Sequence, residues 1–260
     1  MFSLLAKRIK QWTRPARRPT AYSWRAATEG VFAGRTLYLP LDWGDEILRG
    51  EHELELFQTI QSAAKHGGVF YDIGTHYGWF TALWLQCGGA SVDAFEPLAE
   101  NRAIIQQTLE RNGWLERVRI HSEAVGLHDG EDWLISYPGD TSRTFVPQTE
   151  TIHAVASDAT RQRSPMGTLS GLARSLSLPS PALIKINVEG LEGDVIEGAR
   201  EFLAAHKPPV IIEVHSTLNG LRTADVFAHL GYQMQVAGLK GKKKSLPLVL
   251  WTHPDHPLAP

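Results

Sequence analysis

From Val69 to the end of the chain, short β-rich runs alternate with segments of helical periodicity, and this order strongly restricts the possible folds. The strand-like runs are VFYDIG, SVDAFEP, VRIHSEAVG, PALIKINVEG, PVIIEVH, YQMQVAG and LPLVLWTH. Helices are predicted at about residues 77–86, 98–112, 191–205 and 221–230. Such alternation predicts an α/β fold, a doubly wound and mostly parallel seven-stranded sheet with helices on both faces.

The last two strand-like runs are separated only by LKGKKKS, which leaves no room for a helix. Parallel neighbours need a long crossover, whereas antiparallel neighbours can be joined by a short connection. The sequence therefore predicts an antiparallel C-terminal hairpin at the edge of the sheet. The lysines of this connection (Lys240 to Lys244) are expected to face water.

The remaining segments are less regular. Residues 30–41 predict strands or a hairpin, and residues 50–67 predict a helix with Leu54, Phe57, Ile60 and Ala64 on one face. Residues 135–180 are rich in Ser, Thr, Pro and Arg, with a strand predicted at 151–156 and a helix at 168–176. We divide the chain into an N-terminal extension (1–28), an N-terminal packing segment (29–68) and a main domain (69–260).

The N-terminal extension is basic, with seven Lys or Arg and no acid before Glu29. Phe2, Leu5, Ile9 and Trp12 recur at helical spacing, so the segment is either a helix that contacts a membrane surface or partner, or a tail that packs on the body. The chain contains no run of about 20 apolar residues and no signal-peptide core. Its single cysteine, Cys87, rules out an internal disulfide. We predict a cytoplasmic protein, with peripheral membrane contact through the extension as an open alternative.

The stretch DIGTHYG joins a strand to a helix at the edge where open α/β sheets bind ligands. Gly74 and Gly78 are four residues apart, which matches neither the dinucleotide pattern Gly-x-Gly-x-x-Gly nor a phosphate-binding loop. Glu96 ends the next strand, where a carboxylate can accept hydrogen bonds from a ribose diol. Together they predict a site for an adenosine that carries something other than a pyrophosphate.

The blocks DIGTHYGWF, AFEP followed by Asn101, IKINVEGLEGDVIEGA and VIIEVH resemble, in order and spacing, those of the FkbM family of S-adenosylmethionine-dependent methyltransferases. The resemblance extends from about residue 51 to 215. It implies a Rossmann-like class I methyltransferase fold, S-adenosylmethionine as cofactor and O-methylation of hydroxyls, often on sugars or secondary metabolites. The cofactor-binding residues that it and the turn indicate are Asp72, Gly74, Thr75, His76, Tyr77, Gly78, Glu96, Pro97, Asn101, Glu123, Ala124 and Glu53.

Three departures from the family pattern stand out. Asn187 occupies a position that is most often Asp, so one carboxylate is missing. Thr75 and His76 replace the usual Ala-Asn of the cofactor turn. Ser170 replaces the Asp of a Thr-Leu-Asp that commonly precedes the fourth strand.

Methyl transfer to a hydroxyl requires alignment of the reactants and a base for the hydroxyl proton. The candidates for this base are Glu189, His215 and His76. The predicted catalytic set is Glu189, Lys185, Asn187 and His215, with Lys185 expected to orient or neutralise Glu189. Glu192 is predicted to act in helix capping, and Glu213 to need a partner because it is costly to bury alone.

These features predict an S-adenosylmethionine-dependent methyltransferase that acts on a small-molecule or glycan-type acceptor. No spacing of candidate ligands requires a metal. No nucleic-acid partner is expected, because aromatic residues are not interleaved with basic residues. Two alternatives stay open: a catalytically inactive S-adenosylmethionine-binding protein, suggested by Asn187, and a nucleotide-dependent oxidoreductase on a similar fold.

Overall fold

Thirteen strands and eight α-helices are found in the described part of the computed structural model, which comprises residues 21–51, 53–136, 144–146, 160–237 and 248–258. In chain order the strands are β1 (Tyr22–Ala26), β2 (Thr36–Pro40), β3 (Val69–Ile73), β4 (Ser91–Phe95), β5 (Val118–His121), β6 (Ala124–Val125), β7 (Gly130–Ser136), β8 (Thr144–Val146), β9 (Thr160–Gly167), β10 (Leu183–Ile186), β11 (Val210–Glu213), β12 (Gln233–Ala237) and β13 (Leu248–Thr252). The helices are α1 (Glu46–Arg49), α2 (Leu54–Ala64), α3 (Trp79–Gln86), α4 (Ala99–Asn112), α5 (Leu169–Ser175), α6 (Glu192–Gly198), α7 (Arg200–His206) and α8 (Thr217–His229).

The central sheet has seven strands in the order β12-β13-β11-β10-β3-β4-β5. The strands β11, β10, β3, β4 and β5 pair in parallel, whereas β13 runs antiparallel to both of its neighbours. The predicted mostly parallel seven-stranded sheet and its antiparallel C-terminal hairpin are therefore confirmed. The chain order reverses between β3 and β10, and ligands of open α/β sheets bind at the carboxyl ends of the strands at such a point.

Helices cover both faces of this sheet, because the side chains of its strands alternate between two apolar clusters. Phe70 and Ile211 belong to a cluster that includes residues of α2 and α3, whereas Tyr71 and Ile212 belong to one that includes residues of α5 to α8. Trp84 of α3 is fully buried and stacks on Phe70 at a centroid distance of 5.0 Å. The two clusters together form the core, which holds the strands and therefore the position of their carboxyl ends.

The first two strands form an antiparallel hairpin in which Tyr22 pairs with Pro40. The sequence predicts strands or a hairpin within residues 30–41, but only β2 lies there; its partner β1 lies upstream, in the segment predicted as the basic extension. Asn112 of α4 anchors the hairpin, since its side chain donates to the carbonyl of Thr36 and its Oδ1 accepts from the Thr36 amide. The predicted extension thus overlaps β1, and residues 1–20, which carry the apolar stripe, lie outside the described residues.

A second, four-stranded sheet in the order β6-β9-β7-β8 was not predicted from the sequence. Its strand β9 has the sequence TRQRSPMG, and among residues 161–166 only Ser164 and Met166 are buried, so its apolar alternation is too short to recognise. The predicted helix at 168–176 is α5, whose N-cap Thr168 accepts a hydrogen bond from the amide of Gly171. The strand predicted at 151–156 lies outside the described residues.

The helical predictions differ from the structure at three places. The helix predicted at 50–67 is α2, which begins at Leu54 and ends at Ala64. Residues 191–205, predicted as one helix, form α6 and α7 with Ala199 between them. Gly198 at this break passes close to the backbone, because an added Cβ would lie 2.1 Å from the carbonyl oxygen of Gly126. Helix α8 begins four residues earlier than predicted, at Thr217, and Ser216 caps it. None of the helices in the described ranges is long and apolar enough to cross a membrane.

Candidate active site

The turn after β3 has three residues in the left-handed region of backbone conformation: Gly74 (φ 76°), His76 (φ 56°) and Gly78 (φ 77°). Gly74 is also sterically required, because an added Cβ would lie 1.9 Å from the carbonyl oxygen of Asn187. Thr75 closes the turn by donating its hydroxyl to the carbonyl of Asp72, at 2.6 Å. The glycine turn therefore lies directly against the carboxyl end of β10.

A buried ion pair lies beneath this turn. Asp72 and Lys185 are register partners on the neighbouring strands β3 and β10, so their side chains lie on the same face of the sheet. The Lys185 ammonium donates to Asp72 Oδ1 at 3.0 Å and to the carbonyl of Gly74 at 2.8 Å. Thr81 donates to the other carboxylate oxygen of Asp72. Asp72 and Lys185 thus hold the turn in place. Lys185, which the sequence predicted to orient or neutralise Glu189, binds Asp72 and the carbonyl of Gly74.

Glu96, at the end of β4, is 5% exposed and binds the backbone of both adjacent loops. Its carboxylate accepts from the amide of His76 at 2.8 Å and from the amide of Leu98 at 3.0 Å. Burial raises the pKa of Glu96 to about 7, although these two hydrogen bonds and one from Asn101 oppose the shift. A carboxylate offers about four acceptor positions, and His76, Leu98 and Asn101 use three of them, so one hydrogen bond from a ribose hydroxyl still fits.

Three other predicted cofactor residues lie in the segments that follow β4 and β5. Pro97 and Glu123 are partly buried in the connections that follow β4 and β5. Ala124 of β6 is buried in a small apolar cluster with Leu98 and Leu191. The amide of Glu96 donates to the carbonyl of His121 at 3.1 Å, which brings the ends of β4 and β5 together.

Aromatic side chains from the first hairpin form a wall against the turn that sequence reasoning missed. The rings of His76 and Tyr77 lie 3.7 Å apart between centroids, and Trp43 lies 5.3 Å from Tyr77. The hydroxyl of Tyr22 donates to that of Tyr77 at 3.0 Å. No local pattern marks these contacts, because Tyr22 and Tyr77 are 55 residues apart.

A second polar cluster lies at the carboxyl ends of β10 and β11. His215 Nδ1 donates to Glu192 Oε1 at 2.8 Å, and His215 Nε2 lies 3.6 Å from Glu189 Oε2. Glu192 is completely buried and also accepts from the amide of Gly190. The capping role predicted for Glu192 is therefore combined with a role that the sequence did not reveal: it orients the imidazole of His215.

Charges in this cluster set the protonation of His215. Burial by itself lowers the pKa of an imidazole, but the hydrogen bond with Glu192 and the charges of Glu192, Glu189 and Glu213 raise the pKa of His215 to about 9. His215 therefore carries a proton at neutral pH. Glu189 is more exposed, with 41% of its side chain accessible, and is the carboxylate next to this imidazolium.

Glu213 finds the partner that its position in β11 requires. Asn187 Nδ2 donates to Glu213 Oε2 at 2.6 Å, and Asn187 Oδ1 is buried with no hydrogen-bond partner among the described residues. Burial and the negative charges of Glu53 and Glu189 raise the pKa of Glu213 to about 7, while the charges of His215 and Lys185 oppose this. Glu53, at the start of α2, therefore acts electrostatically on this second cluster.

In the part of the chain that the structure describes, no three His, Cys, Asp or Glu residues are arranged to hold a metal ion. The expectation that no metal is obligatory stays a prediction.

Comparison with known proteins decides the family. The sequence profile of the methyltransferase FkbM domain matches residues 72–234, which include the glycine turn, Glu96 and the second cluster. The chain belongs to the FkbM methyltransferase family. The expected resemblance is thereby confirmed, and membership of this family indicates S-adenosylmethionine as the cofactor.

Two relatives are informative. The hexuronic acid methyltransferase AglP of Haloferax volcanii is 28% identical over 176 residues, which are 67% of this chain and 66% of that protein. A crystal structure of an FkbM methyltransferase from Methylobacillus flagellatus KT superposes with a TM-score of 0.51 at 18% identity, over 82% of this chain and 61% of that one. The chain thus spans less than two thirds of either relative, and the structural likeness supports the fold.

The described residues fit this cofactor. Gly74 packs directly on the carbonyl of Asn187, so the turn stays tight against β10, and helix α3 begins after the turn without a side-chain cap at Gly78. Glu96 offers a buried carboxylate on the adjoining strand end. Within the FkbM domain these two features meet where the chain order reverses, which is where an open α/β sheet binds nucleosides.

Proposed function

We propose that the protein transfers a methyl group from S-adenosylmethionine to a hydroxyl of a small-molecule or glycan-type acceptor. The observation that carries this proposal is the position of His215 between Glu192 and Glu189. Glu189 follows β10, the strand that pairs with β3 and its glycine turn. A sugar acceptor is favoured because the relative AglP is named as a hexuronic acid methyltransferase.

Two groups of residues would divide the work. The turn from Asp72 to Gly78 would hold the cofactor, with Glu96 on the ribose and Glu123 and Ala124 at the adenine. When bound, S-adenosylmethionine would supply the methyl group of its sulfonium to the acceptor oxygen, and S-adenosylhomocysteine would be the leaving group. Lys185 is a positioning residue in this scheme, since its contacts are with Asp72 and Gly74.

Glu189 would accept the proton of the acceptor hydroxyl. A base must lie within hydrogen-bond reach of the proton that it removes, and Glu189 is the exposed carboxylate of the cluster. His215 is protonated at neutral pH, so it serves as a cation beside the Glu189 carboxylate rather than as the base itself. Glu192 fixes the orientation of that cation, and Asn187 with Glu213 borders the site.

The test is formation of S-adenosylhomocysteine by wild type and Glu189→Gln, with hexuronic acids and their glycosides as acceptors. We expect acceptor-dependent product with wild type and a loss of about 10²-fold or more in kcat with the variant, the usual size of a general-base effect. Glu201→Gln, an exposed acid on α7, is the control and keeps wild-type activity.

Two results would contradict the proposal. Cofactor binding without S-adenosylhomocysteine from any hydroxyl acceptor would favour the inactive binding protein that Asn187 suggested. Turnover of a nicotinamide cofactor, seen as a change in absorbance, would favour the oxidoreductase.

Cytoplasmic location, the absence of a nucleic-acid partner and peripheral membrane contact through the N-terminal extension (1–28) stay predictions. Fractionation of cells into soluble and membrane pools, with the full chain and a chain that begins at Ala21, tests the first and third of them.

A further inference from the structure

A pocket of about 420 Å³ opens beside the second polar cluster, between the start of α8 and the strands β12 and β13. Its walls are largely carbon, with Val214, Leu221, Met234, Val249 and Trp251 among the lining residues, and His215 also lines it. Small-molecule sites have volumes of about 300–1,000 Å³ and mostly apolar walls. The pocket thus has the size and the character of a ligand site.

Two of the lining side chains are large, apolar and exposed: Leu221 (66%) and Met234 (58%). Single exposed apolar residues are common, but a group of them around a concave surface marks a binding site. Leu218 and Val236 are exposed on the same helix and the same strand, yet they do not line the pocket. Substitutions at Leu218 and Val236 therefore lower the hydrophobicity of the same surface without changing the lining of the pocket.

His215 connects the pocket to the proposed chemistry. Its imidazole lines the pocket and also contacts Glu192 and Glu189. A molecule that fills the pocket and extends past His215 would therefore present its next atoms to Glu189. An acceptor that uses both regions needs a polar, hydroxyl-bearing part at Glu189 and an apolar part in the pocket.

We propose that the pocket binds an aliphatic substituent of the acceptor, so that the acceptor is an amphiphile whose hydroxyl-bearing head lies at Glu189 and His215. This inference rests on the proposed function for the identity of the head group. The occupant is a hydrocarbon chain, because apart from His215 the lining offers apolar side chains, a glycine and the hydroxyls of Ser216, Thr217 and Thr223. Its burial gives affinity in proportion to the apolar area removed from water.

The test is a calorimetric titration of methyl and octyl β-D-glucuronide into the full-length protein, with the octyl glycoside below its micellar concentration. The pocket variant is Leu221→Ser/Met234→Ser. The matched control is Leu218→Ser/Val236→Ser, which removes two exposed apolar side chains from the same helix and strand. All of these positions are exposed, so the variants are expected to fold, and circular dichroism checks this.

We expect the octyl glycoside to bind wild type at least about tenfold more tightly than the methyl glycoside, because the chain adds buried apolar area. The control variant retains this ratio, whereas the pocket variant reduces it to less than about threefold. Equal ratios in the two variants, or no preference in wild type, would overturn the inference. A change from dimer to monomer in the pocket variant, without a change in glycoside binding, would instead identify the face as an interface between copies.

Measuring S-adenosylhomocysteine in the same samples separates this inference from the proposed function. If the methyl glycoside is methylated but the octyl glycoside binds no better, only the inference fails. If the octyl preference is present and depends on the pocket but neither glycoside yields product, the pocket stands and the proposed function fails for this head group.

Discussion

At the scale of single residues, a histidine held among carboxylates determines the electrostatics of the candidate site. Glu192 fixes one nitrogen of His215, and Glu189 lies near the other. The sequence suggested His215 as a base, but its surroundings make it a cation at neutral pH. The proton-accepting role therefore passes to Glu189.

This arrangement predicts that stability depends on pH. The pKa of His215 is about 9 in the folded chain against 6.5 for an unperturbed histidine, so the stabilisation is fully present below pH 6.5 and is lost as pH rises through 9. The predicted loss in unfolding free energy is on the order of 3 kcal/mol at most. Urea denaturation at a series of pH values checks it.

The comparison needs two variants. His215→Gln should lack the loss of stability between pH 6.5 and 9, whereas His229→Gln, an exposed histidine on α8, should keep it. Parallel stability curves for wild type and His215→Gln over this range would show that the histidine carries no extra proton in the folded state.

At the scale of secondary-structure elements, β3 and β10 are joined by a charge pair as well as by their backbones. Lys185 is buried and donates both to Asp72 and to the glycine turn. The pair thus links the central strands to the loop that would hold the cofactor.

Removal of one partner is predicted to destabilise the fold. Lys185→Met leaves Asp72 buried without its counter-charge, which costs about 3–5 kcal/mol for pairs of this kind. The double variant Asp72→Asn/Lys185→Met should recover much of this loss, because no charge is left unpaired. Thermal and urea unfolding of the two single variants and the double variant give the coupling energy.

Arg200→Met is the control, since it removes an exposed ion pair with Glu197 and should change stability little. A Lys185→Met variant that is as stable as wild type but inactive would contradict this prediction and would support the catalytic role that the sequence indicates for Lys185.

At the scale of the whole molecule, the sequence predicts the features that depend on local patterns and misses those that depend on contacts between distant residues. The seven-stranded sheet was predictable because each strand carries its own apolar pattern and each helix its own periodicity. The second sheet was not, because in β9 the inward positions are few and polar residues surround them. Its pairing with β7 depends on contacts between distant residues.

The same reasoning applies to the candidate site. Gly74, Gly78 and Glu96 were visible because a turn of this kind has a local pattern. The contact between Lys185 and Asp72 spans 113 residues, and that between His215 and Glu192 spans 23. Such pairs become apparent only when the order of the strands is known, which is why the sequence alone indicates a cap at Glu192 and gives no sign of the contact between Tyr22 and Tyr77.

The measurement that most directly tests the central claim is a calorimetric titration of S-adenosylmethionine into wild type, Glu96→Ala and the control Glu100→Ala, an exposed acid on α4. We predict micromolar binding by wild type and the control, and affinity at least tenfold weaker in Glu96→Ala, a loss of roughly 1.4 kcal/mol or more. Folded wild-type protein that binds neither S-adenosylmethionine nor S-adenosylhomocysteine would contradict the account, as would equal affinity in Glu96→Ala.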